Sequence, residues 1–206
     1  MRVSKEQAAE NRRRIVKVAG TLFRERGFQG IGVADLMKEA GLTHGGFYAH
    51  FDSREALVIE AFAYASHRSR DHWRKIAEQT SPEKRLALIV DSYLTVAHRD
   101  DPGHGCTIAT LGSEITREGP KTRKAFAAEL ERLIDLIADQ IPDTPRKVAR
   151  KQATATLATM AGALMMARIA ASSELSDEIL AAGREAALNC AARTKPAAKA
   201  SRAKPN

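Results

Sequence analysis

"GLTHGGFYAHFDSREAL", residues 41–57, sets two adjacent glycines, two histidines and three aromatic residues between stretches that favour helix. A glycine inside a helix costs about 1 kcal/mol relative to alanine, so the pair Gly45 and Gly46 needs a physical reason. Four-residue spacing puts Phe47 and Phe51 on one face, toward a small core, and His44 and Tyr48 on another, away from it. With the two glycines turned outward as well, the backbone can lie close to a flat partner, because no side chain holds it off. The major groove of DNA is such a partner for the second helix of a helix-turn-helix, whose N-terminal residues read base edges.

The flanking sequence supports that reading. Upstream, Ile15, Val18, Ala19, Leu22 and Phe23 recur at helical spacing between Glu6 and Arg26, and Gly27 stands where a left-handed C-terminal cap favours glycine. A short helix over about 33–40 carries Val33, Leu36 and Met37 and stops at Gly41. Thr43 is placed to cap the helix that follows, and Asp52 with Glu55 reads as a capping box opening a long helix to about residue 79. Further helices are expected over about 82–98, 106–116, 121–141, 145–172 and 176–192, and no alternating strand pattern interrupts them. The expected fold is all-α.

Charge divides the chain. Of its 206 residues and net charge of +8, residues 1–52 hold nine Lys or Arg against six acids, residues 53–192 hold nineteen of each, and residues 193–206 hold five bases and no acid. A basic end on a neutral body suits a polyanion-binding module joined to one with another task. The tail 193–206, with two prolines and no apolar residue larger than alanine, is expected to be disordered. No apolar run is long enough to span a membrane and the first residues lack the apolar stretch of a signal peptide, so a cytoplasmic location is expected. Cys106 and Cys190 lie too far apart to suggest a disulfide framework.

Over residues 8–60 the chain resembles the tetracycline-repressor (TetR) family of bacterial transcriptional regulators, "AGLTHGGFYAHFDSREAL" following the family's pattern nearly position for position. The resemblance implies an N-terminal three-helix DNA-binding domain, residues 1–52, followed by a larger helical ligand-binding and dimerisation domain, residues 53–192. It implies that Thr43, His44, Gly45, Gly46 and Tyr48 meet base edges and phosphates, with His50 and Arg54 at positions that meet the DNA backbone. Where the family starts its second helix with Thr or Ser, this chain has Gly32, so one phosphate contact fewer is expected there and Val33 is left outside the interface. Arg12, Arg13 and Arg14 read either as phosphate contacts or as the solvated face of a helix.

The resemblance also implies a homodimer built by the last two long helices, which are rich in small residues as in "ATATLATMAGALMMARIAA", intramolecular packing being the alternative. A dimer presents two reading helices about 34–36 Å apart and so requires a roughly palindromic operator. An effector pocket in the central helices is implied as well, with Phe62, Trp73, Tyr93, Phe126, Met160 and Met165 as candidate lining residues. Cys106 joins them because "PGHGCTIATLGSEI" resembles a TetR subgroup with Gly-Cys at this place, some of whose members respond to electrophiles or oxidants. The competing reading of Cys106 is a small buried residue at a helix junction. His98, Asp100, Asp101, His104 and Cys106 crowd one loop, yet their spacing matches no established zinc pattern, and no cofactor is expected.

The expected function is a one-component transcriptional regulator and not an enzyme: a homodimeric repressor bound to operator DNA and released by a small-molecule or electrophile signal. Two other classes compete with it. One is a thiol enzyme with Cys106 as nucleophile and His104 or His98 as base. The other is a basic protein that binds DNA without sequence preference, supported by the tail alone.

Overall fold

The computed structural model describes residues 4–192, so the expectation of a disordered basic tail over 193–206 falls outside the described residues. Ser4 caps the first helix, α1 (Lys5–Arg26), by accepting from the Gln7 N–H at 3.1 Å. Gly27 ends it at a φ of 75°, and α2 (Val33–Glu39) is followed by Gly41 at 66°, both in the left-handed region where a Cβ is strained. The segment containing the glycine pair is a 3-10 helix, His44–Ala49, and not the α-helical turn expected from the sequence. Two adjacent glycines propagate α-helix poorly, and the tighter closure is visible in the bonds Gly46 N–H to Thr43 O and His50 N–H to Phe47 O. Phe47 and Phe51 are nonetheless buried, with ring centroids 5.6 Å apart.

The long helix α3 (Arg54–Glu78) is capped by the Ser53 hydroxyl, which accepts from the Ala56 N–H at 3.1 Å, one residue later than the capping box expected at Asp52. The single helix expected over 82–98 is two, α4 (Pro82–Tyr93) and α5 (Val96–Asp100), because the Thr95 hydroxyl takes the His98 N–H and starts a new helix. A 3-10 turn, Pro102–His104, leads to α6 (Thr107–Ile115), then α7 (Pro120–Ala138), α8 (Arg146–Ile169) and α9 (Ser173–Ala192). Among the described residues there is no strand. The architecture is all-α: an N-terminal three-helix helix-turn-helix unit followed by a larger helical domain.

Two apolar clusters hold it together. The first gathers α1, α2, the 3-10 helix and the start of α3, and it also takes Leu111 from α6 and Phe126 from α7. Phe126 stacks on Phe62 with ring centroids 3.6 Å apart and meets Phe28 edge-on at 6.3 Å. Burying an aromatic of this size stabilises by about 1.5–3 kcal/mol. The second cluster joins α4 to α9 around Ile89, Leu94, Ile137, Met160 and Leu164. Between α3 and α7, the buried carboxylate of Glu129 pairs with the buried Arg70, and Arg132 closes on the same carboxylate.

Part of the small-residue run of α8 packs within the chain, while Thr154, Ala155 and Ala158 are exposed. Gly183 of α9 lies so close to Ala163 that a Cβ on the glycine would stand 2.3 Å from the alanine's Cβ. The Thr156 hydroxyl donates to the Ala187 carbonyl across the same helix pair. Met165, Met166 and Ile169 are left exposed elsewhere on α8, with Leu175 exposed on α9.

Candidate functional site

Thr43, His44, Gly45 and Tyr48 form an exposed face at the 3-10 helix. Tyr48 is 71 % exposed and its ring stands edge-on to the buried Phe47, at 5.2 Å between centroids. A Cβ added to Gly45 would meet nothing within 4 Å, so the approach there is open. Gly46 departs from the expected outward stripe: it is half-buried, and a Cβ there would touch Met37 at 3.7 Å and the Thr43 hydroxyl at 3.6 Å. The tighter 3-10 winding turns it back toward α2. Thr43 differs too, since its hydroxyl makes no capping hydrogen bond.

The expected backbone contacts are partly engaged inside the protein. The His50 carbonyl accepts from Arg12, whose guanidinium also pairs with Glu60 and stacks 4.2 Å from the centre of the Phe51 ring. Arg12 therefore ties α1 to the end of the 3-10 helix and to α3. Arg13 is exposed and paired with Glu10, while Arg14 is exposed and bonds Asn11. Arg54 is half-buried, with its guanidinium 5.5 Å from the Phe23 ring centre and 3.5 Å from the Ile31 carbonyl.

In the second domain a cavity of about 280 Å³ opens between α1, α3, α4 and the segment 98–108. Of the expected lining residues, Phe62, Trp73, Tyr93 and Cys106 do line it. Phe126 does not, because it lies behind Phe62 in the first cluster. Met160 is fully buried in the second cluster, and Met165 is 47 % exposed on the outside of α8. Sequence reasoning missed the polar side of the cavity: Lys17 and Arg24 from α1, Arg68 and His72 from α3, and His98 and His104. The signal was present as helical spacing, since 17, 21 and 24 share one face of α1 and 65, 68 and 72 one face of α3.

The loop containing Cys106 is built on His98. The His98 Nδ1–H donates to the Tyr93 carbonyl at 2.6 Å, and Nε2 accepts from the Cys106 N–H at 2.9 Å. Both ring nitrogens are occupied in the neutral form, and burial first of all lowers the His98 pKa, with Arg168 adding to it. Both His98 nitrogens are engaged with backbone groups, and His104 is exposed with its Nδ1 held by Asp101, so the hydrogen bonds of the two histidines expected as bases go to groups other than the Cys106 sulfur. Gly105 makes the turn possible. A Cβ there would come within 2.8 Å of both the His98 ring and the Arg168 guanidinium. Arg168 in turn donates to the carbonyls of His98 and Arg99 and to the Thr110 hydroxyl, locking α5, α6 and α8 together. Tyr93 is buried, and burial first, then the neighbouring Cys106 thiol, drives its pKa well above the ordinary value. Among the described residues no group of His, Cys, Asp and Glu is arranged to hold a metal ion, and no helix is long and apolar enough to cross a membrane.

Besides the Arg12–Glu60 pair, polar links run from the cavity loop and from α6 to the C-terminal end of α1 and the residues just past it. The buried Arg24 guanidinium donates to the Gly103 carbonyl, from Nε at 2.9 Å. Burial first, then the neighbouring Arg68, lowers the Arg24 pKa to about 10. The second link is the Glu114 carboxylate of α6, which accepts from the Phe28 N–H at 2.7 Å just past the end of α1. The wall of the cavity and the reading unit are thus joined at the same end of one helix.

Comparison with known proteins agrees with this arrangement. Residues 15–61 match the family described as bacterial regulatory proteins, tetR family, and residues 82–180 match the C-terminal domain of LmrA/YxaF-like transcriptional regulators. An HTH-type transcriptional regulator of Mycobacterium tuberculosis is 31 % identical over 169 residues, covering 77 % of this chain and 84 % of the relative. A TetR regulator of Chloroflexus aurantiacus superposes with a TM-score of 0.72 at 25 % identity, covering 87 % of this chain and 95 % of its own. The reduced form of Escherichia coli NemR shares the fold, with a TM-score of 0.72 at 21 % identity over 85 % of this chain and 96 % of NemR. From the glycine-bearing turn to the helical body behind it, the chain belongs to the TetR family of bacterial transcriptional regulators.

Proposed function

We propose that this regulator is a repressor that binds a palindromic operator as a homodimer and lets go when a small molecule or an electrophile engages the cavity beside Cys106. Residues 1–52 serve as the DNA-binding part, residues 53–192 as the effector-binding and dimerisation part, and Thr43, His44, Gly45, Tyr48, His50 and Arg54 as the DNA-facing set, with Gly46 behind them against Met37. Base reading falls to Tyr48 and His44, and Gly45 gives the backbone clearance. The observation that carries the reading is the Arg24–Gly103 bond, because it joins the cavity loop to the helix that supports the reading unit. Displacing that loop tilts α1, and in a dimer a tilt changes the separation of the two reading surfaces.

The exposed Met165, Met166 and Ile169 of α8 support a second copy of the chain as the partner, since an apolar strip of this kind is stabilised by covering it. Cys106 supports membership of the Gly-Cys subgroup and an electrophile response: it is half-buried, lines the cavity and stands at the N-terminal end of α6. Such a regulator works on chromosomal DNA in the cytoplasm.

A gel-shift assay with DNA flanking the regulator's own gene tests this. A sequence-specific band at moderate salt is expected, lost on adding an electrophile to the native chain and kept in Cys106→Ser. A folded protein giving no specific band would overturn the regulatory reading, and equal release of both proteins would remove Cys106 from it.

A further inference from the structure

The cavity is chemically two-sided. Trp73, Tyr93 and Phe62 give it aromatic surface, while Lys17, Arg24 and Arg68 bring three cations to it. Among the described residues no aspartate or glutamate lines it. Two acids outside the lining favour the charge of Arg24 from behind: Asp101, which accepts from the His104 N–H, and Glu25, which packs against Gly103. Arg68 lies close enough to disfavour the charge of Arg24, a repulsion that an anion between them relieves. The Tyr93 hydroxyl belongs to the same wall: it is buried, its neighbour there is the Cys106 thiol, and no stronger partner reaches it. A thiol is a weak hydrogen-bond partner, so a ligand or water at the wall can bond this hydroxyl better.

We infer that the effector of this cavity is a small organic anion, a carboxylate on a flat aromatic body. Lys17, Arg24 and Arg68 hold its charged end, and Trp73, Phe62 and Tyr93 hold its ring. A volume of about 280 Å³ suits a one- or two-ring acid and is too small for a nucleotide-bearing thioester. Guanidinium favours carboxylate because its planar fork donates two parallel hydrogen bonds, which neither an amide nor an ester receives with the same strength. Because Arg24 already donates to the Gly103 carbonyl, a carboxylate competes for the donor that joins α1 to the cavity loop. The inference rests on the proposed regulatory reading for its consequence, though not for the binding itself.

Calorimetric titration of the full chain with benzoate and 2-naphthoate, set against benzamide and 2-naphthamide, tests it. Each acid is expected to bind about ten-fold more tightly than its amide, the loss that follows from one charge-assisted hydrogen bond. Arg68→Gln and Lys17→Gln should each shrink that preference, and Arg68→Lys should keep part of it. Both residues are exposed at the mouth of the cavity, so an unchanged unfolding temperature is expected and separates lost contact from lost fold. Equal affinity for acid and amide, no binding of either, or tighter binding of benzylamine would overturn the inference. A gel shift on the same samples without ligand keeps the two readings apart. A specific band with no acid preference sinks the anion alone, and an acid preference with no specific band sinks the regulator alone.

Discussion

Arg24, two residues from the end of α1, reaches across to the Gly103 carbonyl and is buried in doing so. The bond spans 79 residues of sequence and joins the DNA-reading unit to the cavity loop. Replacing Arg24 with Met leaves that carbonyl without its charged donor, at a cost of about 1–3 kcal/mol. Operator affinity without effector should stay within a few-fold, while release by effector should be blunted, measured by gel shift with and without ligand. Full release in Arg24→Met would mean that the signal travels by another route, with the Glu114 bond to Phe28 the next to examine.

Tyr48→Ala should leave thermal stability nearly unchanged, because the side chain is 71 % exposed. Operator binding should fall by about 1–3 kcal/mol, the worth of a good base contact, with far less loss on random DNA. Arg54→Ala should weaken both DNAs and also lower the unfolding temperature, since its guanidinium sits against Phe23 and the Ile31 carbonyl. Equal losses for Tyr48→Ala on both DNAs would show that this face does not read sequence.

Glu129→Gln strips Arg70 of its buried partner. Breaking one side of such a pair destabilises by about 3–5 kcal/mol, whereas replacing both sides with apolar residues of similar volume is often neutral. Urea unfolding should therefore rank Glu129→Gln well below the double variant Arg70→Met with Glu129→Leu. The opposite order would assign the pair a net attraction larger than its desolvation.

His98 makes stability depend on pH. Its folded pKa is lowered, so below the unfolded value of about 6.5 the unfolded chain binds more protons than the folded one. Its contribution is full above about 6.5 and is lost as pH falls through that value toward the folded pKa. His98→Asn should flatten this part of a melting-temperature profile, leaving the carboxylates to act at lower pH.

Gly105→Ala tests the tight turn beside Cys106. An added methyl group presses on the His98 ring and Arg168, so the cavity loop should loosen. Faster hydrogen exchange is expected over residues 98–108, with little change over 5–26. Uniform exchange in both proteins would show that the turn tolerates the methyl group.

The reading unit was legible in the sequence because its constraints are local. Gly27 and Gly41 mark backbone with positive φ, and Phe47 and Phe51 mark the buried side. The 3-10 winding was not, since it depends on the accumulated cost of two glycines and on how Phe51 seats against Arg12. In the second domain, apolar bulk proved a poor guide to the cavity. Trp73 and Tyr93 line it, yet Met160, another bulky apolar residue of the central helices, lies wholly in the core. Which face of α3 opposes which face of α1 is fixed by tertiary packing, so the cations Lys17, Arg24 and Arg68 became a set only once the helices were placed. Likewise, the small residues of α8 announce a close approach without saying to what: Ala163 meets Gly183 within the chain, and Gly162 faces open space.

Leu111 and Phe126 complete the first apolar cluster from far along the chain, so the head of this protein is not a detachable cassette. Grafting residues 4–52 onto another regulator's body would keep Phe23 beside Phe28 but remove the edge-on ring of Phe126. A working chimera would have to import matching residues on α6 and α7, which is a reason for such heads and bodies to diverge in step.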